Sequence, residues 1–174
     1  MTLGAIQDNS LVREISKRMA EQNKALGIHY NFSPSVDVNN NSKNPIIGNR
    51  SFGEDPINVY EKAKAYIQGH KDAGIFTSIK HFPGHGDTDK DSHKTLPVIK
   101  GDINRLNSVE LYPFKRLIED GLAESVMLAH LSVPALDKKY PSSLSYKTVN
   151  NLLRDKYGFL SLIHISEPTR RKRI

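Results

Sequence analysis

The stretch GIFTSIKHFPGHGDTDKDSH, residues 74–93, changes character halfway along. Its first part, Gly74 to Phe82, is rich in β-branched and aromatic residues and predicts a strand. From Lys80 onward the residues are those of chemistry and of turns: His81, His85 and His93, Asp87, Asp89 and Asp91, with Pro83, Gly84 and Gly86 among them. A strand that empties straight into such a loop fits the α/β folds, in which sites gather at the C-terminal ends of parallel strands. The fold therefore turns on whether helices stand on either side.

The flanking segments have that pattern. After the capping run Asp8, Asn9 and Ser10, the near-helical spacing of Leu11, Ile15, Met19, Gln22 and Leu26 predicts a first helix that stops at Gly27. Residues 28–38 alternate as a strand and run into a loop rich in Asn and Pro. Asp55 followed by Pro56 starts a second helix carrying Val59, Ala63, Tyr66 and Ile67 on one face. A third helical stretch covers 103–120, interrupted at Pro113 and ended by Gly121, and the apolar run 125–133 is a strand. Ser145 caps a fourth helix with Val149, Leu152 and Leu153, and residues 159–165 begin a fourth strand. Strands and helices in strict alternation predict an α/β protein with parallel strands buried under helices. An open doubly wound sheet and a closed eightfold barrel both satisfy this. No Gly-rich phosphate loop follows any strand, which favours a TIM-type (β/α)8 barrel. Four units in 174 residues fall short of the about 250 that this fold takes, so a partial barrel is expected.

Composition narrows the partners. With 37% hydrophobic and 25% charged residues, and no apolar run near the roughly 20 residues of a membrane span, no membrane partner is expected. Of the formal charge of +6, Arg170, Arg171, Lys172 and Arg173 supply four, so the body of the chain is close to balanced. That argues against a nucleic-acid partner. The absence of Cys removes disulfides and thiolate chemistry and leaves the compartment open. Met1 to Asp8 show no signal peptide.

The His/Asp loop has several readings. His81 and His85 have the i, i+4 spacing of a zinc-binding helix, but Phe82 replaces the required Glu and Pro83-Gly84 breaks the helix. Asp87, Asp89 and Asp91 mimic the start of a calcium loop, yet Ser92 stands at the glycine position and Val98 at the final acidic one. In an extended segment Asp91 and His93 point the same way, and a carboxylate beside an imidazole makes a proton shuttle. The plain alternative is a solvated loop.

The segment KHFPGHGDTDKDSH (80–93), with NFSPSVDVNNNSKNPIIGNRSFGEDP (31–56), closely resembles glycoside hydrolase family 3, in particular its bacterial β-N-acetylglucosaminidase branch. SVMLAHLSVPALD (125–137) and PSSLSYKTVNNLLRDKYGF (141–159) are similar to later segments of that family, in family order. The resemblance implies a TIM-type barrel and retaining hydrolysis of terminal β-linked N-acetylglucosamine, without metal or cofactor. It further implies that His93 is the general acid/base and Asp91 its orienting partner, an Asp-His dyad that departs from the usual two-carboxylate glycosidase. By the same resemblance Arg50, Lys80 and His81 bind the sugar. Each has a plainer reading: Lys80 as a strand-end surface charge, Arg50 as the partner of Glu54 or Asp55. His85 shapes the loop, Asp87 and Thr88 are its hydrogen-bonding members, and His130 is either a pocket or a core residue. Asp37 is either pocket or wall.

The chain departs from the family after Phe159. The nucleophilic Asp is expected where Ser166 stands, and neighbouring Glu167 lies one position out of register. SLIHISEPTR (161–170) also resembles translated adaptor DNA. The expected organisation is thus a partial barrel domain over 1–160, a fragment lacking both ends of the catalytic domain, followed by an atypical basic tail over 161–174. The chain itself is expected to be inactive. Rival readings are an amino-sugar-binding module without catalysis and a metal-dependent hydrolase using His81, His85 and His93. Oligomeric state and cellular address are not written in the sequence.

Overall fold

Helix starts in this protein are set by short acidic side chains. In the computed structural model, which describes residues 2–89 and 96–165, a short helix α1 (Thr2–Ala5) precedes α2 (Asn9–Ala25). The Asp8 carboxylate accepts the Ser10 N–H at the head of α2. Asp55 does the same for Asn58 at the head of α3 (Pro56–Asp72), where Pro56 fills a first-turn position that needs no N–H donor.

The two long helices pack closely, and this corrects the expected face of α2. Leu11, Met19 and Leu26 are 48%, 40% and 78% exposed, while Val12, Ser16 and Ala20 are buried. The reason is the distance of approach. A Cβ placed on Gly69 of α3 would lie 2.3 Å from the Arg13 carbonyl oxygen, so only small side chains fit along the contact. The bulky stripe is displaced by one position and left outside.

Every strand pair is parallel. β1 (Tyr30–Asn31) pairs with β2 (Phe76–Thr77); β3 (Ile79–Phe82) pairs with β4 (Ser125–Leu128), which pairs with β5 (Leu162–Ile165). Ser78 joins β2 to β3, its N–H donating to the carbonyls of Asn31 and Ser33. The regular strands are shorter than the runs 28–38, 74–82 and 125–133. Extended chain continues beyond them through isolated bridges, Ser35 to Lys80 and Val98 to Ser132. Pro34 has no N–H to donate to the ladder, which limits the first strand. The peptide bonds Ser33–Pro34, Lys80–His81 and Phe82–Pro83 are cis.

The stretch 103–120 divides into α4 (Ile103–Ser108) and α5 (Tyr112–Glu119). The break falls over residues 109–111, and Pro113 begins α5 where the expectation had it interrupting a helix. A π-helix, Lys147–Lys156, follows. Ser145 accepts the Thr148 N–H at 3.1 Å at its start and donates to Asp137 at 2.7 Å. Phe82, Phe114, Leu117, Val126 and Leu153 fill the space between strands and helices. The result is a parallel α/β arrangement and part of a TIM-like barrel, with no closure among the described residues. Among those residues no helix is long and apolar enough to cross a membrane. Leu162–Ile165, which composition grouped with the tail, pair with β4 in regular register; residues 166–174 lie outside the described residues.

Candidate active site

At the C-terminal side of the first extended segment stands Asp37, fully buried. An isolated carboxylate there would be costly, and its oxygens accept a dense set of hydrogen bonds in compensation. The Ser35 hydroxyl donates at 2.7 Å, the His85 N–H at 2.7 Å and the His81 N–H at 3.2 Å to each oxygen. The His81 ring adds Nδ1 at 2.8 Å. Burial alone would raise the pKa of Asp37; the charge and hydrogen bond of His81, with the Ser35 hydroxyl, outweigh it and hold the carboxyl well below the usual range. Asp37 thus belongs to the site, as the anchor of the two histidines that follow β3.

The other edge of the His81 ring faces Arg50, whose Nη2 donates to Nε2 at 3.3 Å. Arg50 closes the short 3-10 turn Gly48–Arg50, and its Nη1 donates to the Ile46 carbonyl at 3.4 Å. It pairs with neither Glu54 nor Asp55. Lys80, on the same strand end, is half-buried, not a free surface charge. Burial lowers its pKa, Arg50's charge lowers it further, and Asp37 works in the opposite direction. The structure therefore brings Arg50, Lys80 and His81 together.

The loop after β3 is held from several sides. His85 is buried; its Nδ1 lies 2.7 Å from the Thr88 hydroxyl, its Nε2 meets no hydrogen-bond partner among the described residues, and burial lowers its pKa. Asn44 Nδ2 lies within bonding distance of the carbonyls of His85 (2.8 Å) and Gly86 (3.0 Å) and of Thr88 Oγ1 (3.3 Å), while its Oδ1 accepts the N–H groups of Ile46 and Ile47. A Cβ on Gly86 would stand 1.7 Å from the Val38 carbonyl oxygen, so backbone packs on backbone there. Beneath the loop, Glu110 is 1% exposed and accepts from Arg105 at 3.2 Å and from Asn40 at 3.4 Å. Arg105 also reaches Asp87 at 3.4 Å. Burial raises the Glu110 pKa. Ser35, Asn44 and Glu110 were not singled out from the sequence; Asn44 sits in an Asn-rich run that reads as ordinary loop.

His130 is exposed, with Nδ1 lying 2.6 Å from the Ser143 hydroxyl, so it is not a core histidine. Asp91 and His93, the expected dyad, lie outside the described residues, as do Ser166 and Glu167. No cluster of three or more His, Cys, Asp or Glu able to hold a metal occurs among the described residues. At the open edge of the site stand two cations that only donate and one imidazole, a set suited to a neutral ligand rich in hydroxyls.

Residues 1–165 match the family model described as the glycosyl hydrolase family 3 N terminal domain. The chain belongs to this family. Beta-hexosaminidase A of Pseudoalteromonas piscicida is 35% identical to it over 173 residues, which cover 91% of the chain and 29% of that protein. Beta-hexosaminidase LpqI of Mycobacterium tuberculosis is 40% identical over 148 residues, covering 85% of the chain and 37% of the relative. Among solved structures, the glycoside hydrolase family 3 beta-N-acetylglucosaminidase from Paenibacillus sp. str. FPU-7 superposes with a TM-score of 0.92 at 40% identity, over 95% of this chain and 31% of that one. The chain thus spans about a third of the length of these relatives. The family 3 fold puts the Asp37, Arg50, Lys80 and His81 group at the C-terminal ends of its strands.

Proposed function

We propose that this chain is the part of a retaining β-N-acetylhexosaminidase that grips the sugar and supplies its acid/base, acting on terminal β-linked N-acetylglucosamine in glycans or cell-wall fragments. The observation that carries the reading is the convergence of Arg50, Lys80 and His81 at the strand ends, with Asp37 bracing the imidazole. Their hydrogen-bonding groups suit sugar hydroxyls and leave the reaction to the adjoining loop. There His93 acts first as general acid on the departing glycosidic oxygen and then as general base toward water, oriented by Asp91. The names of the similar proteins support the amino-sugar substrate. In this proposal residues 1–160 form the partial barrel domain and 161–174 an atypical tail. Ser166 takes the place of the nucleophilic Asp, so the chain binds amino sugar without turning it over. No cofactor enters the reaction.

Calorimetric titration of the chain with N-acetylglucosamine tests the reading. Binding is expected, and Arg50→Ala and Lys80→Ala should each weaken it at least about tenfold, roughly 1.4 kcal/mol. A folded chain that takes up no sugar, or variants that bind as well as the parent, overturns the assignment. Release of nitrophenol from p-nitrophenyl N-acetyl-β-glucosaminide by the chain itself overturns the inactivity.

A further inference from the structure

His81 is caught between two partners of fixed polarity. The Asp37 carboxylate, ionised, only accepts, and it lies 2.8 Å from Nδ1. The Arg50 guanidinium only donates, and it lies 3.3 Å from Nε2. One ring nitrogen must therefore carry hydrogen and the other a lone pair. Nor is the carboxylate free to turn away, because Ser35 and the His81 and His85 backbone N–H groups hold its oxygens and the whole group is buried. The contrast with His85 is instructive. Its Nδ1 faces a threonine hydroxyl, which donates or accepts as required and so imposes no tautomer.

We propose that Asp37 is a positioning residue that fixes His81 in the Nδ1–H tautomer, so that Nε2 is presented toward Arg50 and the ligand as a hydrogen-bond acceptor. The consequence for binding rests on the reading of Arg50, Lys80 and His81 as the sugar site. A hydroxyl that displaces Arg50 from Nε2 must donate its hydrogen, so a sugar whose hydroxyl there is methylated loses the contact. A carboxylate that selects the tautomer of a working imidazole is a known physical arrangement, and its neutral isostere reverses the selection. Here the direction of that reversal is set by His85. Its N–H, 2.7 Å from Oδ1, forces an asparagine at position 37 to keep oxygen on that side. The amide NH2 then faces His81 Nδ1, where it donates and drives the ring hydrogen to Nε2, against the guanidinium.

Long-range proton–nitrogen NMR of the ring-labelled chain reads the tautomer directly, without sugar. The parent is expected to show hydrogen on His81 Nδ1 and a bare Nε2, and Asp37→Asn to show the reverse. An Nε2–H tautomer in the parent, or an unchanged one in folded Asp37→Asn, refutes the proposal. Should that variant not fold, Arg50→Ala, altered at an exposed position, decides: the Nδ1–H form persists if Asp37 sets it and is lost if Arg50 does. The same samples titrated with N-acetylglucosamine separate the two readings. With the expected tautomers, at least about tenfold weaker binding by folded Asp37→Asn supports both. No binding by the parent removes the sugar site and leaves the tautomer assignment standing.

Discussion

An asparagine amide has two N–H donors and one acceptor oxygen, and at Asn44 both ends are used inside the protein. Oδ1 receives two N–H groups of its own loop, at 2.9 and 2.8 Å, while Nδ2 faces the carbonyls of His85 and Gly86. One side chain thus fixes the approach of the Arg50 turn to the loop after β3. Asn44→Ala leaves those groups unpaired where water has little access, with an expected loss of about 2–4 kcal/mol. Urea denaturation should show it as a lower midpoint with an unchanged slope. A change within ±0.5 kcal/mol, the range of an ordinary surface substitution, would mean that water takes over these contacts. Asn44 also marks the limit of what residue types reveal. Lys80, His81 and Arg50 stand out because charged and imidazole side chains at a strand end are unusual enough to question. Asn44 shares its run with Asn39, Asn40 and Asn41, and only the folded chain separates the one that bridges two loops from its neighbours. Glu110 was hidden differently: its burial depends on Gly84, where an added Cβ would lie 2.8 Å from the Glu110 Cβ.

Between α2 and α3, local signals and packing give different kinds of information. The caps at Asp8, Asp55 and Asp102 were open to sequence reading or follow the same rule, because a cap needs only its own next few residues. The buried face of α2 was not, because it is chosen by the close approach at Gly69, fifty-odd residues away. That contact also encloses His70. Ser16 Oγ donates to the Tyr66 carbonyl at 2.5 Å and lies 2.7 Å from His70 Nδ1, and Asn31 Nδ2 is 3.0 Å from Nε2. The ring is satisfied when neutral, with hydrogen on Nδ1 and a lone pair facing the amide. Burial lowers its pKa from the ordinary 6.5. The unfolded chain therefore takes up the proton first, and stability falls as the pH drops below 6.5 toward the folded value. His85, also lowered by burial, adds a slope of the same sign, so the His70 share is the difference between parent and His70→Gln. Denaturation across this acid range should give a shallower loss in the variant. Equal slopes would show that His70 is not the group being titrated. At still lower pH the depressed carboxyl of Asp37 adds a second loss, present above its ordinary 3.8 and removed as the pH falls through its folded value.

The strand order leaves β1 paired through β2 and β5 paired through β4, so each has one unpaired side among the described residues. Parallel sheets are normally covered on both faces and closed or shielded at their edges, because free N–H and C=O groups in a row are templates for another chain. Here the last edge is also apolar. Leu160, Leu162 and Ile165 are 85%, 68% and 52% exposed. Charge does not protect it locally: the nearest preceding basic residues, Arg154 and Lys156, lie on the π-helix, where Arg154 is engaged by the carbonyls of Phe159 and Ser161 at 2.7 and 2.6 Å. Backbone pairing and apolar contact therefore act together, and self-association through β5 is the expected outcome. In sedimentation velocity, the parent chain should show a mass that rises with concentration. Leu162→Lys places a charge on the edge without altering the β4 pairing, and should shift the distribution toward monomer at the same concentration. A parent that sediments as a monomer throughout, or a variant that associates as strongly, would place the association elsewhere or nowhere. The edge would then be shielded by residues beyond Ile165.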